Sequence, residues 1–205
     1  MDADGGADAV TDRQQRVDGF EQAVFEEASV LLVGAGGLGS EIAEGLVRKG
    51  VGGLVVCDED VVAASNLARQ RFFAKDVGEN KAEALAENLV PEGTRGTDLV
   101  AFPHHFEDLV ARGVDFAPDV VVCAPDNDAA RLAVAEHFHG RVPVVTTGLD
   151  PEAVRGYAFV QDGRACFRCY RPDAGGGGAC PGAPAVKDPA TVVAGLALYA
   201  KKLKT

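Results

Sequence analysis

A glycine-rich hexapeptide is the first group of residues in this sequence whose types and spacing suggest chemistry. Gly34-Ala-Gly36-Gly37-Leu-Gly39 follows the apolar run Val30–Val33 and precedes a segment with helical spacing. In such a strand–loop–helix, the first glycine makes the turn, the second lets a phosphate or ribose approach the backbone, and the third lets the helix pack on the strand. The helix N-terminus favours negative charge. The loop therefore predicts a site for a phosphorylated ligand.

An acidic residue at the end of the next apolar run extends this site. Asp58 lies about 20 residues beyond the loop, where a carboxylate can accept hydrogen bonds from ribose hydroxyls. Asp60 belongs to the same acidic stretch, and the alternative for Asp58 is a turn-forming role there. NAD-binding proteins meet the same two conditions, so loop and carboxylate predict a nucleotide site without identifying the nucleotide.

Three later segments distinguish ATP from a dinucleotide. They are Ser65-Asn66-Leu67-Ala68-Arg69-Gln70, Val77-Gly78-Glu79-Asn80-Lys81 and Ala124-Pro125-Asp126-Asn127. A triphosphate needs Arg and Lys to balance its charge and a carboxylate to hold a metal ion, whereas hydride transfer needs neither. Arg69 and Lys81 are the natural cationic cluster in a chain of net charge −11. Asp126 follows a strand at the edge where open sheets bind ligands. These segments favour ATP with a metal ion.

Each of these residues also has a purely structural interpretation. Asp126 precedes a helical pattern and could serve as an N-cap, which does not prevent a carboxylate from binding a metal. Asn66 could cap or turn the chain. Arg69 and Lys81 could be ordinary surface charges.

The elements that must position these residues alternate between strands and helices. Strand-length apolar runs, each expected to be buried on both faces, occur at Val30–Val33, Leu54–Cys57, Leu99–Phe102, Val120–Cys123 and Val142–Thr146. Helical spacing occurs at Leu38–Lys49, Lys81–Leu89 and Asp126–His139. This alternation predicts an α/β fold with a doubly wound, Rossmann-like sheet and a parallel core. After Gly148 the pattern changes, and we expect a mixed C-terminal extension with a strand at Tyr157–Val160 and a helix around Ala190–Leu203.

Composition sets the domain organisation and excludes some partners. The 205 residues suit one domain, with residues 1–12 expected to form a disordered acidic tail and residues 13–205 to form the domain. The net charge of −11 argues against nucleic acid and anionic membrane as partners. No apolar run approaches the roughly 20 residues that span a bilayer, and the N-terminus is acidic, so we expect a cytoplasmic protein.

The motifs together resemble a known family. GAGGLGS, the acidic strand end, SNLARQ, GENK and APDN are similar to the ThiF/MoeB/HesA family and the related E1 adenylation domains, over roughly Arg13 to Lys204. The resemblance implies that Asp126 binds Mg²⁺ and that the remaining candidates contact ATP. The full set of ATP-binding candidates is Gly34, Gly36, Gly37, Gly39, Asp58, Asp60, Asn66, Arg69, Gln70, Lys81, Asp126 and Asn127.

The resemblance also implies an activity and an assembly. The activity is adenylation of the C-terminal glycine carboxylate of a ubiquitin-like or sulfur-carrier protein ending in Gly-Gly, for sulfur transfer or conjugation. Alternatives are adenylation of a peptide or modified-tRNA carboxylate, or a non-catalytic nucleotide-binding partner subunit. The segment Asp12-Arg13-Gln14 is similar to one whose arginine reaches the phosphates of the neighbouring subunit, which implies a homodimer with Arg13 acting in trans.

The five cysteines fall into two groups. Cys57 and Cys123 end strand-like runs, where a small buried residue fits. Cys166-Phe-Arg-Cys169 resembles half of the family's four-cysteine zinc site, and no second pair follows before Thr205. Zinc with substitute ligands, a redox pair and a vestigial site are the alternatives. Cys180 follows the glycine run Gly175–Gly178 in a region, residues 164–190, that resembles a short crossover loop. It is either a covalent acyl carrier or a loop residue.

Overall fold

The computed structural model describes residues 4–93, 95–113, 116–149, 156–163 and 165–171. The strands are β1 (Ser29–Val33), β2 (Gly53–Cys57), β3 (Asp98–Phe102), β4 (Val120–Cys123), β5 (Val144–Leu149) and β6 (Gly156–Gln161). The α-helices are α1 (Asp4–Gln15), α2 (Gln22–Glu27), α3 (Gly37–Arg48), α4 (Lys81–Leu89), α5 (Phe106–Ala111), α6 (Asp128–His137) and α7 (Phe167–Tyr170). Short 3₁₀ turns cover Ala64–Asn66, Ala74–Asp76 and Val90–Glu92.

The strands form one six-stranded sheet in the order β3-β2-β1-β4-β5-β6. The first five are parallel, and β6 pairs antiparallel with β5. The expected Rossmann-like sheet with a parallel core and a mixed C-terminal part is therefore confirmed. Strand order reverses between β1 and β4, and in open α/β sheets ligands bind at the carboxyl edge beside such a reversal.

Alternating residues of β1 divide the core between the two faces of the sheet. Val30 and Leu32 pack with α3 and α4, whereas Leu31 and Val33 pack with α5 and α6. A third cluster joins α6, β6 and α7 through Leu132, Ala135, Phe159 and Phe167. Because helices cover both faces, most strands read as continuous apolar runs.

The edge strand β3 departs from this pattern. Its Val100 is 53% exposed, so the expectation that all five runs would be buried on both faces is wrong for β3. An apolar run carries no signal that distinguishes an edge strand from a central one, because the neighbours on either side are set by the sheet order.

The N-terminal segment also differs from expectation. Residues 4–15 form α1, where we expected a disordered tail through residue 12. The side chain of Thr11 is buried, and the Gln14 amide donates to the backbone carbonyl of Lys49 at 3.1 Å. These contacts to the end of α3 come from distant sequence, so the composition of the tail could not reveal them.

Other boundaries shift by a few residues. β5 begins at Val144 and α6 spans Asp128–His137, each shorter at its start than expected. The helix expected at 190–203 lies outside the described residues. Within the described part of the chain, no helix has the length and apolarity needed to cross a membrane.

Candidate nucleotide-binding site

The glycine loop after β1 touches the segment after β4. Gly34 has φ +96°, and a Cβ atom there would lie 2.8 Å from the backbone of Ala124 and Pro125. A Cβ atom at Gly39 would lie 1.8 Å from the carbonyl oxygen of Gly34. Only glycine fits at these two positions, for backbone conformation and close packing respectively. The loop after β1 and the segment after β4 are therefore in direct backbone contact at the point where the strand order reverses.

Open space lies above the N-terminus of α3. Gly36 occupies the N-cap position of this helix, and a Cβ atom on it would meet nothing within 4 Å. At Gly37 a Cβ atom would lie 3.5 Å from the Arg69 carbonyl oxygen. The first free N–H groups of a helix carry partial positive charge, so an anionic group fits this space.

Asp58 ties the end of β2 to the glycine loop. Its carboxylate accepts from the backbone N–H of Ala35 at 2.6 Å and from that of Asp60 at 2.9 Å. Burial raises the pKa of Asp58, while these two hydrogen bonds and the charge of Lys81 act in the opposite direction. The carboxylate thus takes part in a turn, as the alternative interpretation held, and it also lies directly against the candidate phosphate loop.

The segment that includes Lys81 is bound to the acidic stretch at several points. The Lys81 ammonium lies 2.7 Å from the Asp60 carboxylate, and the Lys81 backbone N–H donates to the Asp60 carbonyl at 2.8 Å. The Asn80 side chain caps α4 by accepting from Ala82 at 2.8 Å, and it donates to the Asp58 carbonyl at 3.0 Å. Lys81 is therefore buried and paired at the crevice, which makes it more than an ordinary surface charge.

Asn80 is a supporting residue to which we had assigned no role from sequence. A cap residue immediately before a helix was visible in the sequence. Its second hydrogen bond, back to Asp58, joins residues far apart in the chain, and the sequence pattern gave no indication of it.

The SNLARQ segment lies against the beginning of α3. Asn66 closes its own turn, because its side-chain oxygen accepts from the Ala63 N–H at 2.9 Å, as its structural interpretation held. The exposed Arg69 side chain makes no hydrogen bond or ion pair within the described residues. The Gln70 amide oxygen is buried and lacks a hydrogen-bond partner within those residues. The unpaired Arg69 cation suits an anionic phosphate, and the orphaned Gln70 oxygen suits a donor such as a hydroxyl or amino group. ATP carries both kinds of group and therefore fits this crevice.

Asp126 stands exposed at the carboxyl edge, three residues beyond the last parallel pair of β4. The N-cap of α6 is Asn127, whose side chain accepts from the Ala130 N–H at 2.8 Å. The N-cap interpretation of Asp126 is therefore wrong, because its neighbour fills that position. Asn127 is placed as a cap, whereas the Asp126 carboxylate remains available as an oxygen ligand of the kind Mg²⁺ prefers.

Arg13 lies away from this crevice. Its side chain is 89% exposed, and its helix α1 contacts the C-terminal end of α3 through Gln14. The glycine loop begins α3 at the opposite end, and the helix has 12 residues, roughly 18 Å at 1.5 Å per residue. Arg13 is thus not brought together with the other candidates in its own chain.

The two strand-end cysteines are packing residues, as expected. Cys57 and Cys123 are 1% and 0% exposed, and burial raises the pKa of each thiol to about 12. Neither thiol ionises near neutral pH, so neither is a nucleophile.

The sulfur atoms of Cys166 and Cys169 lie 3.9 Å apart. That separation is close to the roughly 3.8 Å between two ligands of a tetrahedral zinc ion. Within the described part of the chain, no group of three or more His, Cys, Asp or Glu residues could hold a metal ion, so a complete zinc site does not form there. Cys180 and the glycine run 175–178 lie outside the described residues.

The chain resembles known proteins in sequence. A model of the ThiF family matches residues 11–204. The chain is 36% identical over 148 residues to adenylyltransferase and sulfurtransferase MOCS3 of Mus musculus, covering 71% of this chain and 32% of the relative. It is 36% identical over 159 residues to the SAMP-activating enzyme E1 of Haloferax volcanii, covering 74% of this chain and 56% of the relative. The chain thus spans about a third to just over half of the length of these relatives.

The chain also resembles solved structures. E. coli tRNA N6-threonylcarbamoyladenosine dehydratase, TcdA, matches with TM-score 0.60 and 27% identity over 68% of this chain and 59% of its own. E. coli MccB in its structure with ATP matches with TM-score 0.62 and 22% identity over 89% of this chain and 56% of its own, which shows a common fold. With the family model covering residues 11–204, this chain belongs to the ThiF family.

Proposed function

We propose that this chain is an E1-like adenylyltransferase that activates a protein C-terminal carboxylate with ATP and Mg²⁺. The observation that carries the proposal is the convergence of three strand ends on one crevice. The glycine loop after β1, Asp58 after β2 and the Asp126 segment after β4 meet at the reversal point of the sheet, with Gly34 against Ala124 and Asp58 against Ala35. A hydride-transfer site would not need the cations or the exposed carboxylate.

In this reaction a carboxylate oxygen of the acceptor attacks the α-phosphorus of ATP. A new C–O–P linkage forms, the bond to the bridging oxygen breaks, and pyrophosphate leaves with its electron pair. No protein nucleophile is needed, so the chain contributes positioning and charge neutralisation. Arg69 and Lys81 bind phosphate oxygens, Asp58 accepts from ribose hydroxyls, and Asp126 holds Mg²⁺, which offsets charge on the phosphates.

Lys81 reaches the phosphates by leaving one anionic partner for another. The Lys81 ammonium pairs with Asp60, whose side chain is 60% exposed. A triphosphate carries more negative charge than one carboxylate, so it can replace Asp60 as the partner of the buried ammonium. The pair keeps the ammonium at the crevice until a nucleotide arrives.

The proposed acceptor is a small ubiquitin-like or sulfur-carrier protein ending in Gly-Gly. Two relatives at 36% identity are named as a SAMP-activating enzyme E1 and as an adenylyltransferase and sulfurtransferase. A ubiquitin-like modifier-activating enzyme 5 of Culex quinquefasciatus is 32% identical over 167 residues. TcdA is named as a tRNA N6-threonylcarbamoyladenosine dehydratase, and a peptide or modified-tRNA carboxylate is the alternative acceptor.

The proposed assembly is a homodimer in which Arg13 serves the partner's crevice. Its support is the position of α1 at the far end of α3, which keeps Arg13 from the glycine loop of its own chain. A second copy placed with its α1 near this crevice would add a cation to the phosphates.

Cys180 is proposed to act after adenylation. Every residue assigned to the adenylation step precedes Gly148, so Cys180→Ala should leave ATP–pyrophosphate exchange near wild type. It should remove any thiol-sensitive covalent complex with the carrier. If the wild-type enzyme with its carrier and ATP forms no such complex by intact mass, the enzyme releases a free adenylate.

The test of the proposed function is carrier-dependent exchange of labelled pyrophosphate into ATP. We expect exchange with carriers ending in Gly-Gly and none when the terminal glycine is removed or amidated. Exchange that depends on a peptide or modified tRNA would replace the acceptor and keep the chemistry. Tight NAD binding without ATP binding by calorimetry would overturn the proposal, and ATP binding without exchange would favour a non-catalytic partner subunit.

A further inference from the structure

Arg131, near the beginning of α6, is buried beside the crevice. It is 7% exposed, and burying a guanidinium is unfavourable unless its donors are matched. Its Nη1 donates to the Asp128 carboxylate at 2.8 Å, and its Nη2 donates to the backbone carbonyl of Pro125 at 2.5 Å. The guanidinium carbon lies 5.9 Å from the centre of the Tyr157 ring. The bond to Pro125 goes to the loop between β4 and α6, and the bond to Asp128 goes to the first residue of α6.

Arg131 is not fully satisfied by these contacts. Its Nε is buried and has no hydrogen-bond partner within the described residues. A position selected only for a stable core would favour an apolar side chain over a partly satisfied cation. The burial of Arg131 is therefore explained by its hydrogen bond to Pro125, which holds the loop between β4 and α6.

The loop needs such a contact because its sequence limits how it can be held. The Ala124 N–H continues the β1–β4 pairing by donating to Val33 at 2.8 Å. Pro125 has no N–H and cannot extend that pairing. On one side the Ala124–Pro125 peptide rests against Gly34, where a Cβ atom would come within 2.8 Å. Arg131 holds the carbonyl of the same proline, one residue before Asp126.

We propose that Arg131 is a positioning residue for Asp126. Arg131 holds the Pro125 carbonyl, and Gly34 packs against the same segment. The residue after Asp126, Asn127, is fixed as the N-cap of α6. The backbone of Asp126 is thereby held on both sides while its carboxylate stays exposed. A metal ligand held in this way needs less ordering when Mg²⁺ and ATP bind. The functional part of this inference rests on the proposed role of Asp126.

The contacts at position 131 require a planar guanidinium with two donor nitrogens. The two nitrogens reach two different acceptors in fixed geometry, whereas a lysine ammonium is a single point on a flexible stem. Arg131→Lys keeps the positive charge beside Asp128, so the ion pair survives in part. It loses the simultaneous hold on Pro125, which separates positioning from charge.

The test compares Arg131→Lys with Arg112→Lys in the full chain. Arg112 is also stacked on a ring, 5.8 Å from the centre of Phe102, but it is exposed and lies at the end of α5. For Arg131→Lys the half-saturating Mg²⁺ concentration in pyrophosphate exchange should rise about tenfold, as loss of one charge-assisted hydrogen bond predicts. Amide hydrogen exchange should become faster at Ala130 and Arg131, whose N–H groups donate to Asn127. Arg112→Lys should change neither quantity.

Two outcomes would overturn the inference. A lower thermal midpoint for Arg131→Lys with unchanged Mg²⁺ dependence would reduce Arg131 to a stabilising residue. Unchanged amide protection at Ala130 and Arg131 would show that the loop is not held by Arg131, and this readout needs no activity. If the wild-type protein shows no Mg²⁺-dependent exchange with any acceptor, the proposed function fails, and the amide protection still decides whether Arg131 holds the loop.

Discussion

The two halves of the sheet hold their candidate site residues in different ways. In the half formed by β1, β2 and β3, the Lys81 and Asp58 side chains are tied to nearby groups: Lys81 to the Asp60 carboxylate at 2.7 Å, and Asp58 to the backbone of Ala35 at 2.6 Å. In the half formed by β4, β5 and β6, the Asp126 side chain is exposed, and its nearest hydrogen-bonding group within the described residues is its neighbour Asn127, at 3.4 Å. At Asp126, therefore, the backbone is fixed and the carboxylate is not.

The two halves therefore differ in whether a substitution changes folding stability together with ligand binding or changes the chemistry alone. A substitution among the interlinked residues of the first half removes folding contacts as well as ligand contacts, because the same atoms serve both. A substitution at Asp126 removes an exposed carboxylate, and surface changes of this kind usually alter stability by less than about 0.5 kcal/mol. The second half therefore offers the cleaner test of catalysis, and the first half the cleaner test of nucleotide binding.

The largest expected effect is that of Asp126→Ala. Pyrophosphate exchange should fall by at least about 100-fold, since one group that stabilises transition-state charge is lost. The thermal midpoint should stay at the wild-type value. Asp108→Ala, which removes an exposed carboxylate on α5, is the matched control and should leave exchange unchanged. Retained exchange in Asp126→Ala would show that this residue is not a metal ligand. The difference drawn between the two halves of the sheet would then not hold.

Gly36→Ala tests the open space in the first half. We expect ATP affinity by calorimetry to fall about tenfold, because the new methyl group would occupy space that the nucleotide needs. Folding should be unaffected, since a Cβ atom there meets nothing within 4 Å. Gly45→Ala on the same helix, also free of contacts within 4 Å, should leave affinity intact and stabilise the fold by about 0.5–1 kcal/mol. Equal affinities for the two variants would place the nucleotide elsewhere.

Mixing subunits tests whether one chain contains the whole site. Arg13→Ala and Asp126→Ala proteins should each be nearly inactive. After subunit exchange, random pairing gives half mixed dimers with one intact site each, so activity should recover to about a quarter of wild type. Mass spectrometry would verify the exchange. Verified mixed dimers without recovery would place Arg13 in the site of its own chain or outside catalysis.

The smallest expected effect is a pH dependence from Asp58. Burial raises its pKa above the ordinary value of 3.8, and ribose binding requires the ionised form. ATP affinity should therefore weaken as the pH falls through the raised pKa. Stability follows the opposite sign, because the contribution of this group is full below the unfolded pKa and is lost as the pH rises through the folded one. Asp58→Asn should remove both dependences, and their persistence would assign them to another group.

Local sequence patterns predicted much of the sheet and the first half of the site. The runs at β1, β2 and β4 and the helix Lys81–Leu89 matched the structure to within a residue. Gly34 and Gly39 were predicted from the turn and packing that a strand–loop–helix needs, and the structure shows both reasons at these positions. Apolar periodicity and glycine spacing are local properties, so a single sequence can reveal them.

The contacts between distant segments could not be predicted in this way. The helix α1 lies beside α3, and β3 is exposed at an edge of the sheet, because of neighbours that only the folded chain supplies. The sequence by itself determined the order of elements and the residue types at the crevice, since both follow from local periodicity and chemistry. The tertiary structure alone decided that Gly34 packs against the Ala124–Pro125 segment, because that contact depends on strand order, which brings together residues about 90 positions apart.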